Sequence, residues 1–239
     1  MTTYYRTKGF VLKKKEHGEA DRIFTIFSED FGRVEIRARA VRKIISKLRG
    51  GIDGVYFSEI EFIQGKNYKT LTDAEALDKF KGIPQNPKNL AVFNKIAEVL
   101  DSFVKGEEKD EKIFKLLKET LRRLNNSEPS PEIRSLTYSY FFWNFFSELG
   151  YMPEVNKCAK CDGKLMPYNL YFSSSGGGII CKQCAVKDCK KINSDIVKIL
   201  RLIFKREWQI LSRLKVEAFS QNLLDQITDN YYLYMQNHA

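Results

Sequence analysis

The chain has 239 residues, a hydrophobic content of 43% and a formal net charge of +10 with a pI near 9.2. That is enough apolar material for one large domain or two modest ones, and the charge points to a polyanionic partner: nucleic acid first, a membrane surface second. Residues 1–6 lack the apolar core of a signal peptide, and the most apolar run, 138–146, is too short to span a bilayer and is flanked by Arg134 and Glu148, so export and membrane insertion are argued against and a cytoplasmic location is expected. A soluble protein that simply happens to be basic is the alternative to set beside the polyanion reading.

The first eighty residues read as strands. Gly9–Leu12 opens one and Arg22–Phe27 a second. Arg33–Ala40 alternates strictly, with Val34, Ile36, Ala38 and Ala40 on one face and Arg33, Glu35, Arg37 and Arg39 on the other. Val55–Ile63 and Tyr68–Asp73 complete a set of five, with turn residues at Asp30-Phe31-Gly32 and in the glycine-rich stretch 50–54. Five short strands in a curved sheet suggest a small barrel, for which an OB-fold is the common solution.

Residues 81–88, with prolines at 84 and 87, end the strand pattern and read as a linker. From Asn89 the period is helical. Leu90, Phe93, Ile96, Ala97, Leu100 and Phe103 form one stripe, and Ile113, Leu116, Leu117, Thr120, Leu121 and Leu124 another. Ser130-Pro131 offers a capping hydroxyl and a proline at the first helical position of a helix that is aromatic on most sides and ends near Gly150. After a cysteine-bearing insert the helices resume with the stripe Ile196, Ile199, Leu200, Ile203, Phe204 and Leu211, then a last helix from about Val216 through Tyr234. The expected fold is α+β and multidomain: an OB-fold barrel at 1–80, a linker at 81–88, and a helical domain at 89–239 with a metal-binding insert at about 154–190.

That insert carries two Cys-x-x-Cys pairs, Cys158/Cys161 and Cys181/Cys184, about nineteen residues apart, which is the spacing of a four-thiolate zinc site. Two disulfides, or a redox-active Cys-x-x-Cys, are the rival readings. No strand–helix pattern of the redox kind surrounds either pair, and a reducing compartment favours metal. Cys189 is left over as a bystander.

Two sets of residues resemble the RecO family of bacterial recombination mediators. The first is Gly9-Phe10-Val11-Leu12, then Gly18-Glu19-Ala20-Asp21-Arg22, then Phe31-Gly32-Arg33; the second is Leu149-Gly150-Tyr151-Met152-Pro153, the first cysteine pair, Phe172-Ser173, and Gly177-Gly178 before Cys181. Ala40, where a glycine is common in the family, and the segment 44–56 depart from that pattern. The resemblance implies an OB-fold followed by a helical domain that often binds zinc, and no enzymatic activity. It also implies binding to single- and double-stranded DNA, strand annealing, partnership with RecR, help to RecA in replacing single-strand-binding protein (SSB), contact with the SSB tail, and association with the nucleoid.

The expected DNA contacts are Arg33, Arg37 and Arg39 on one strand face and Arg42, Lys43, Lys47 and Arg49 on the loop leaving it, an electrostatic track for a phosphate backbone. A solvated edge guarded by cations is the structural alternative. Lys13, Lys14 and Lys15 are possible extensions, and Tyr56, Phe57 and Tyr68 possible stacking platforms, although most barrel aromatics are core. The cysteine pairs, crowded by Lys157, Lys160, Lys164, Lys182 and Lys187, read as a staple rather than a DNA reader, because no reading helix follows Cys184. Lys198, Arg201 and Lys205, opposite the apolar stripe, form a candidate site for an acidic partner tail. Catalysis finds little footing: the histidines, His17 and His238, lie far apart, no phosphate loop follows the triple glycine, and Glu19 and Asp21 read as partners for Arg22 or nearby lysines. The sequence thus predicts a non-catalytic DNA-repair mediator with one structural zinc ion. A zinc-ribbon OB-fold protein acting on RNA or in transcription is the second reading, and a redox enzyme the third.

Overall fold

A computed structural model describes residues 3–125 and 129–238, which divide into two compact units, Met1–Glu128 and Pro129–Ala239. The first unit begins with β1 (Tyr4–His17), β2 (Asp21–Ser28), β3 (Gly32–Ala38), the single turn α1 (Arg49–Ile52), β4 (Phe57–Gln64) and β5 (Lys69–Asp78). These strands close into a barrel in the order β1-β2-β3-β5-β4, with β4 returning to β1; this is the OB-fold expected from the strand pattern. Closure rests on the length of β1. Its first half pairs with β4 and its second half with β2, with a bulge between Val11 and Lys13 where it turns. At Gly9, before the bulge, a Cβ would lie 2.6 Å from the Ile26 side chain, so the close approach of β1 to β2 there favours glycine.

The barrel interior holds Phe24, Ile26, Val34, Ile36, Ala38, Ile60, Phe62 and Leu71. The alternation of β3 works as expected for its inward residues. The strand ends earlier than its pattern suggested: it stops at Ala38, and Arg39 and Ala40 lie in the following turn. Ala40 takes a left-handed φ of 52°, and its N–H donates to Asp21 Oδ1 at 2.8 Å, so a side-chain acceptor replaces the strand ladder there.

Segment 81–88 carries the short helix α2 (Gly82–Gln85) and the start of α3 (Pro87–Phe103). The Asn86 side chain accepts from the Lys88 and Asn89 N–H groups and Pro87 occupies the first turn, so the residues that end the strand pattern also start a helix. With α4 (Glu111–Asn125), these helices belong to the same compact unit as the barrel, whereas the helical pattern alone joined them to the chain that follows. The contact is aromatic. Phe114 of α4 lies 5.4 Å from Phe10, 6.2 Å from Phe27 and 6.3 Å from Phe57 between ring centroids, and Phe80 lies 6.0 Å from Phe10.

The second unit comprises α5 (Pro131–Glu148), the three-stranded sheet β6 (Leu170–Ser173), β7 (Gly178–Cys181) and β8 (Lys190–Ile192), then α6 (Ser194–Phe204), α7 (Trp208–Leu211) and α8 (Ala218–His238). Ser130 caps α5 as expected, its Oγ accepting from Ile133 N–H. The aromatic helix is the centre of this unit: Phe141, Phe142, Trp143, Phe145 and Phe146 are fully buried. Trp143 donates to Thr228 Oγ1 of α8 at 3.2 Å and meets Phe172 of β6 edge-on at 5.6 Å, which joins the sheet to the bundle. No described helix is long and apolar enough to cross a membrane.

Asp101 of α3 latches the helix to the barrel. It accepts from Arg33 of β3 at 2.7 Å and from Lys13 of β1 at 2.7 Å. Desolvation pushes its carboxyl up, but the Lys13 and Arg33 hydrogen bonds outweigh it and hold the group below its ordinary value of 3.8. A carboxylate whose folded pKa is lowered stabilises the fold above its unfolded pKa, and that contribution is lost as pH falls through the folded value. Asp101→Asn should therefore cost about 1–2 kcal/mol in urea unfolding at neutral pH. The difference from wild type should shrink below about pH 4; a gap independent of pH would show that the ion pairs do not latch the helix.

Candidate metal centre and nucleic-acid interface

The cysteine insert folds into two knuckles that face each other. In the first, Cys158 N–H donates to Gly163 O at 2.8 Å and Asp162 N–H to Cys158 O at 2.9 Å, with Asp162 at a left-handed φ of 59° to make the turn. In the second, the N–H groups of Cys184 and Ala185 both donate to Cys181 O at 3.1 Å. The serine–glycine stretch between the pairs is the β6–β7 hairpin, and its last glycine is structurally required. Gly178 has a φ of 147°, and a Cβ there would lie 2.3 Å from Glu154 O, where that segment pairs with β7.

The sulfurs of Cys158, Cys161, Cys181 and Cys184 lie within 4.8 Å of one another, with Cys161 and Cys181 at 3.9 Å. A tetrahedral ion with bonds of about 2.3 Å to sulfur needs its ligands roughly 3.8 Å apart. The donor set and spacing therefore fit a metal ion, and the four cysteines could hold one. Burial pushes the Cys158 thiol up, but the N–H groups of Cys181, Lys160 and Cys161 more than reverse this and bring it down to about 6; Cys184, hydrogen-bonded chiefly to Cys161, is pushed up to about 12. Four thiols this close cannot all ionise without a cation to share their charge. Cys189 stays outside the cluster and accepts from Val186 N–H through its own sulfur.

The knuckles are tied to the helices of their unit. Arg201 of α6 donates to Val155 O at 3.0 Å, and Tyr231 of α8 donates to Tyr151 O at 2.7 Å. Arg201 is thus only partly available as the partner cation that the sequence suggested. Lys198 pairs with Asp195 at 3.0 Å, while Lys205, at the end of α6, is exposed and makes no ion pair among the described residues. All three line a cleft of about 500 Å³ whose apolar wall includes Ile199, Leu202 and Leu214. Lys157 pairs with Asp162 at 2.6 Å, and Lys160, Lys164, Lys182 and Lys187 are exposed.

On the barrel the expected basic row divides in two. Arg33 is held by Asp101 and Glu35, Arg37 by Asp21 at 2.7 Å, Arg42 by Glu16 at 3.3 Å and by Glu19 O, and Arg49 by Asp53 at 3.4 Å. Arg39, Lys43 and Lys47 are exposed and make no ion pair among the described residues. Asp21 pairs with Arg37 rather than Arg22, and its carboxyl is held below the ordinary range chiefly by the Ala40 N–H; Arg22 instead reaches Asp53 at 2.7 Å. Lys13 and Lys14 are likewise paired, to Asp101 and Asp53, and Lys15 is exposed. The pairs Arg22–Asp53 and Arg33–Asp101 join residues far apart in the chain, so no local pattern announces them; only Arg49–Asp53 is a local pair, four residues apart.

Of the three candidate stacking aromatics, Phe57 is buried against Phe10, and Tyr56 is half-buried beneath Lys79. Tyr68 is 44% exposed, with Arg37 at 5.8 Å and His17 at 5.7 Å from its ring, and remains accessible to a base. His17 ends β1 in the first unit and His238 ends α8 in the second.

The profile of the recombination protein O N-terminal domain matches residues 1–80, and that of its C-terminal domain matches residues 84–235. The chain belongs to the RecO family. Family profiles part at 80–84, while the contacts of the fold part at 128–129. A DNA repair protein RecO of Dehalococcoides mccartyi is 32% identical over 213 residues, covering 89% of this chain and 83% of that protein. That of Caldanaerobacter subterraneus is 28% identical over 231 residues, covering 95% and 91%, and that of a Roseiflexus species is 28% identical over 214 residues, covering 89% and 74%. A role in DNA repair and recombination follows from this membership.

Cys158→Ser should lower the melting temperature by 10 °C or more, a rough scale set by the free energy of thiolate sites. Metal analysis of wild type should give about one zinc per chain, released by a chelator. A metal-free protein of unchanged melting temperature would refute the site.

Proposed function

We infer that this RecO-family protein is a non-catalytic mediator that binds single- and double-stranded DNA through its barrel. It anneals complementary strands in the cytoplasm, at the nucleoid, and acts with RecR to help RecA load onto SSB-coated DNA. The observation that carries this reading is the set Arg39, Lys43 and Lys47: exposed cations without carboxylate partners among the described residues, in the connection that leaves β3 of an OB-fold whose surface also carries the accessible ring of Tyr68. Annealing needs phosphate repulsion between two strands to be screened, and unpaired cations do this where paired arginines do not. The paired arginines set the shape of the barrel surface. A structural zinc ion on the four cysteines would close the insert onto its helices, and the burial of Cys158 together with the bonds from Arg201 and Tyr231 supports a staple over a DNA-reading role. The cleft beside α6, lined by Ile199, Leu202 and Leu214 together with Lys198, Lys205 and Lys215, suits the acidic, apolar-ended tail of SSB.

Binding of single-stranded DNA should weaken with salt, and each free cation removed should flatten the slope of log K against log salt by about 0.7. Arg39→Ala and Lys43→Ala should each show that change. Arg37→Ala, whose charge is already matched by Asp21, should show less. Equal slopes for all three variants and wild type would remove the barrel loop from the DNA site.

Lys205→Glu should weaken binding of an SSB tail peptide by about tenfold, the scale of reversing one interfacial charge, while leaving annealing of bare strands intact. Unchanged peptide affinity would exclude the α6 cleft. Arg201 is the poorer probe, because its bond to Val155 O supports the cysteine insert.

A further inference from the structure

The connection from β3 to α1 contains an apolar feature that basic charge does not explain. Ser46 N–H donates to Lys43 O at 3.0 Å, which closes a four-residue turn with Ile44 and Ile45 at its two central positions. Those side chains are 92% and 87% exposed. Both choices run against local preference. Central turn positions favour glycine, proline, asparagine and aspartate, and β-branched residues fit them poorly. A solvent-facing pair of isoleucines also forfeits the burial for which such side chains are usually placed.

The base of the connection is firmly held. Val41 is fully buried and Leu48 packs against the barrel core. Arg42 N–H donates to Ala20 O at 3.0 Å and its guanidinium to Glu19 O at 3.0 Å. Two apolar anchors and a hydrogen-bonded arginine thus hold the turn so that its isoleucine pair projects. Lys43 and Lys47, the unpaired cations, bracket that pair.

We propose that the Lys43–Ser46 turn is a wedge for duplex DNA, in which Ile44 and Ile45 enter a base step and part it while Lys43 and Lys47 bind the flanking phosphates. The proposal rests on the DNA-binding reading of the barrel. Proteins that part base steps do so with short apolar side chains whose cost of unstacking is met by neighbouring backbone contacts, and an apolar tip between two cations supplies both parts. The flanking charge disfavours a second copy of the same loop, since the cations would face each other. Two isoleucine side chains also offer little apolar area for a bilayer, where even a single acyl chain binds only marginally.

The test uses the full chain and a duplex carrying 2-aminopurine, which brightens when unstacked. Wild type should brighten the probe. Ile44→Ser with Ile45→Ser should fold with unchanged melting temperature, bind the duplex about fivefold more weakly, abolish the brightening and keep the salt slope. Lys43→Gln with Lys47→Gln should flatten the duplex slope by about 1.8. An isoleucine variant that brightens the probe and binds the duplex like wild type would overturn the wedge alone. So would such a variant that instead loses binding to anionic phosphatidylserine vesicles, or to purified RecR, which would assign the turn to a membrane or a protein. Absence of salt-dependent DNA binding by wild type would overturn the barrel reading and the wedge with it.

Discussion

Closure of the barrel decides where the cations stand. The last pairing needed is a short parallel contact between β3 and β5, limited to Ile36 with Lys69 and Arg37 with Thr70. A parallel pair cannot be joined by a tight hairpin. The chain must therefore leave β3 at Ala38 and cross the barrel before entering β4. That crossing contributes Val41, Leu48 and Ile52 to the core, and what they cannot bury is turned outward: Arg39, Lys43, Ile44, Ile45 and Lys47. One topological requirement thus both fills the barrel and presents exposed cations that make no ion pair among the described residues.

Counter-charge then sorts those cations. Asp21, Asp53 and Asp101 each take one or more basic side chains from elsewhere in the unit, and each carboxyl lies below its ordinary pKa despite the desolvation or burial that opposes it. Three of the arginines they hold, Arg22, Arg33 and Arg37, are partly buried, where their planar fork suits carboxylate pairing. The flexible, strongly hydrated lysines of the loop are left to solvent. A net charge of +10 overstates what a polyanion meets on this surface, because much of the arginine charge is already answered internally.

The cysteine insert follows a similar logic with different chemistry. Its strands are too short to hold themselves, and the sheet leans on Trp143 and Tyr231. Four converging thiols could hold a metal ion there, and a structural metal is a common support for a module with so little apolar area. The same demand for close approach fixes Gly178, where the backbone of Glu154 leaves no room for a side chain.

Much of this was legible in the residues. The strict alternation of β3 announced a half-buried strand, the aromatic run 138–146 a central helix, and the spacing of the cysteine pairs a four-sulfur cluster, because each depends on neighbours a few positions apart or on one short insert. The sequence also named the basic row. What it could not show was which members of that row are free. Arg33 is answered by Asp101 and Arg22 by Asp53, partners distant in the chain, and the strand stops short of Arg39 because Asp21 captures the Ala40 N–H. The docking of α3 and α4 against the barrel was equally hidden, since an amphipathic stripe states that a helix buries one face but not against what. Periodicity and motif spacing are local and survive in one dimension; ion pairing and the partner of an apolar face are set only when closure of the barrel brings distant residues together.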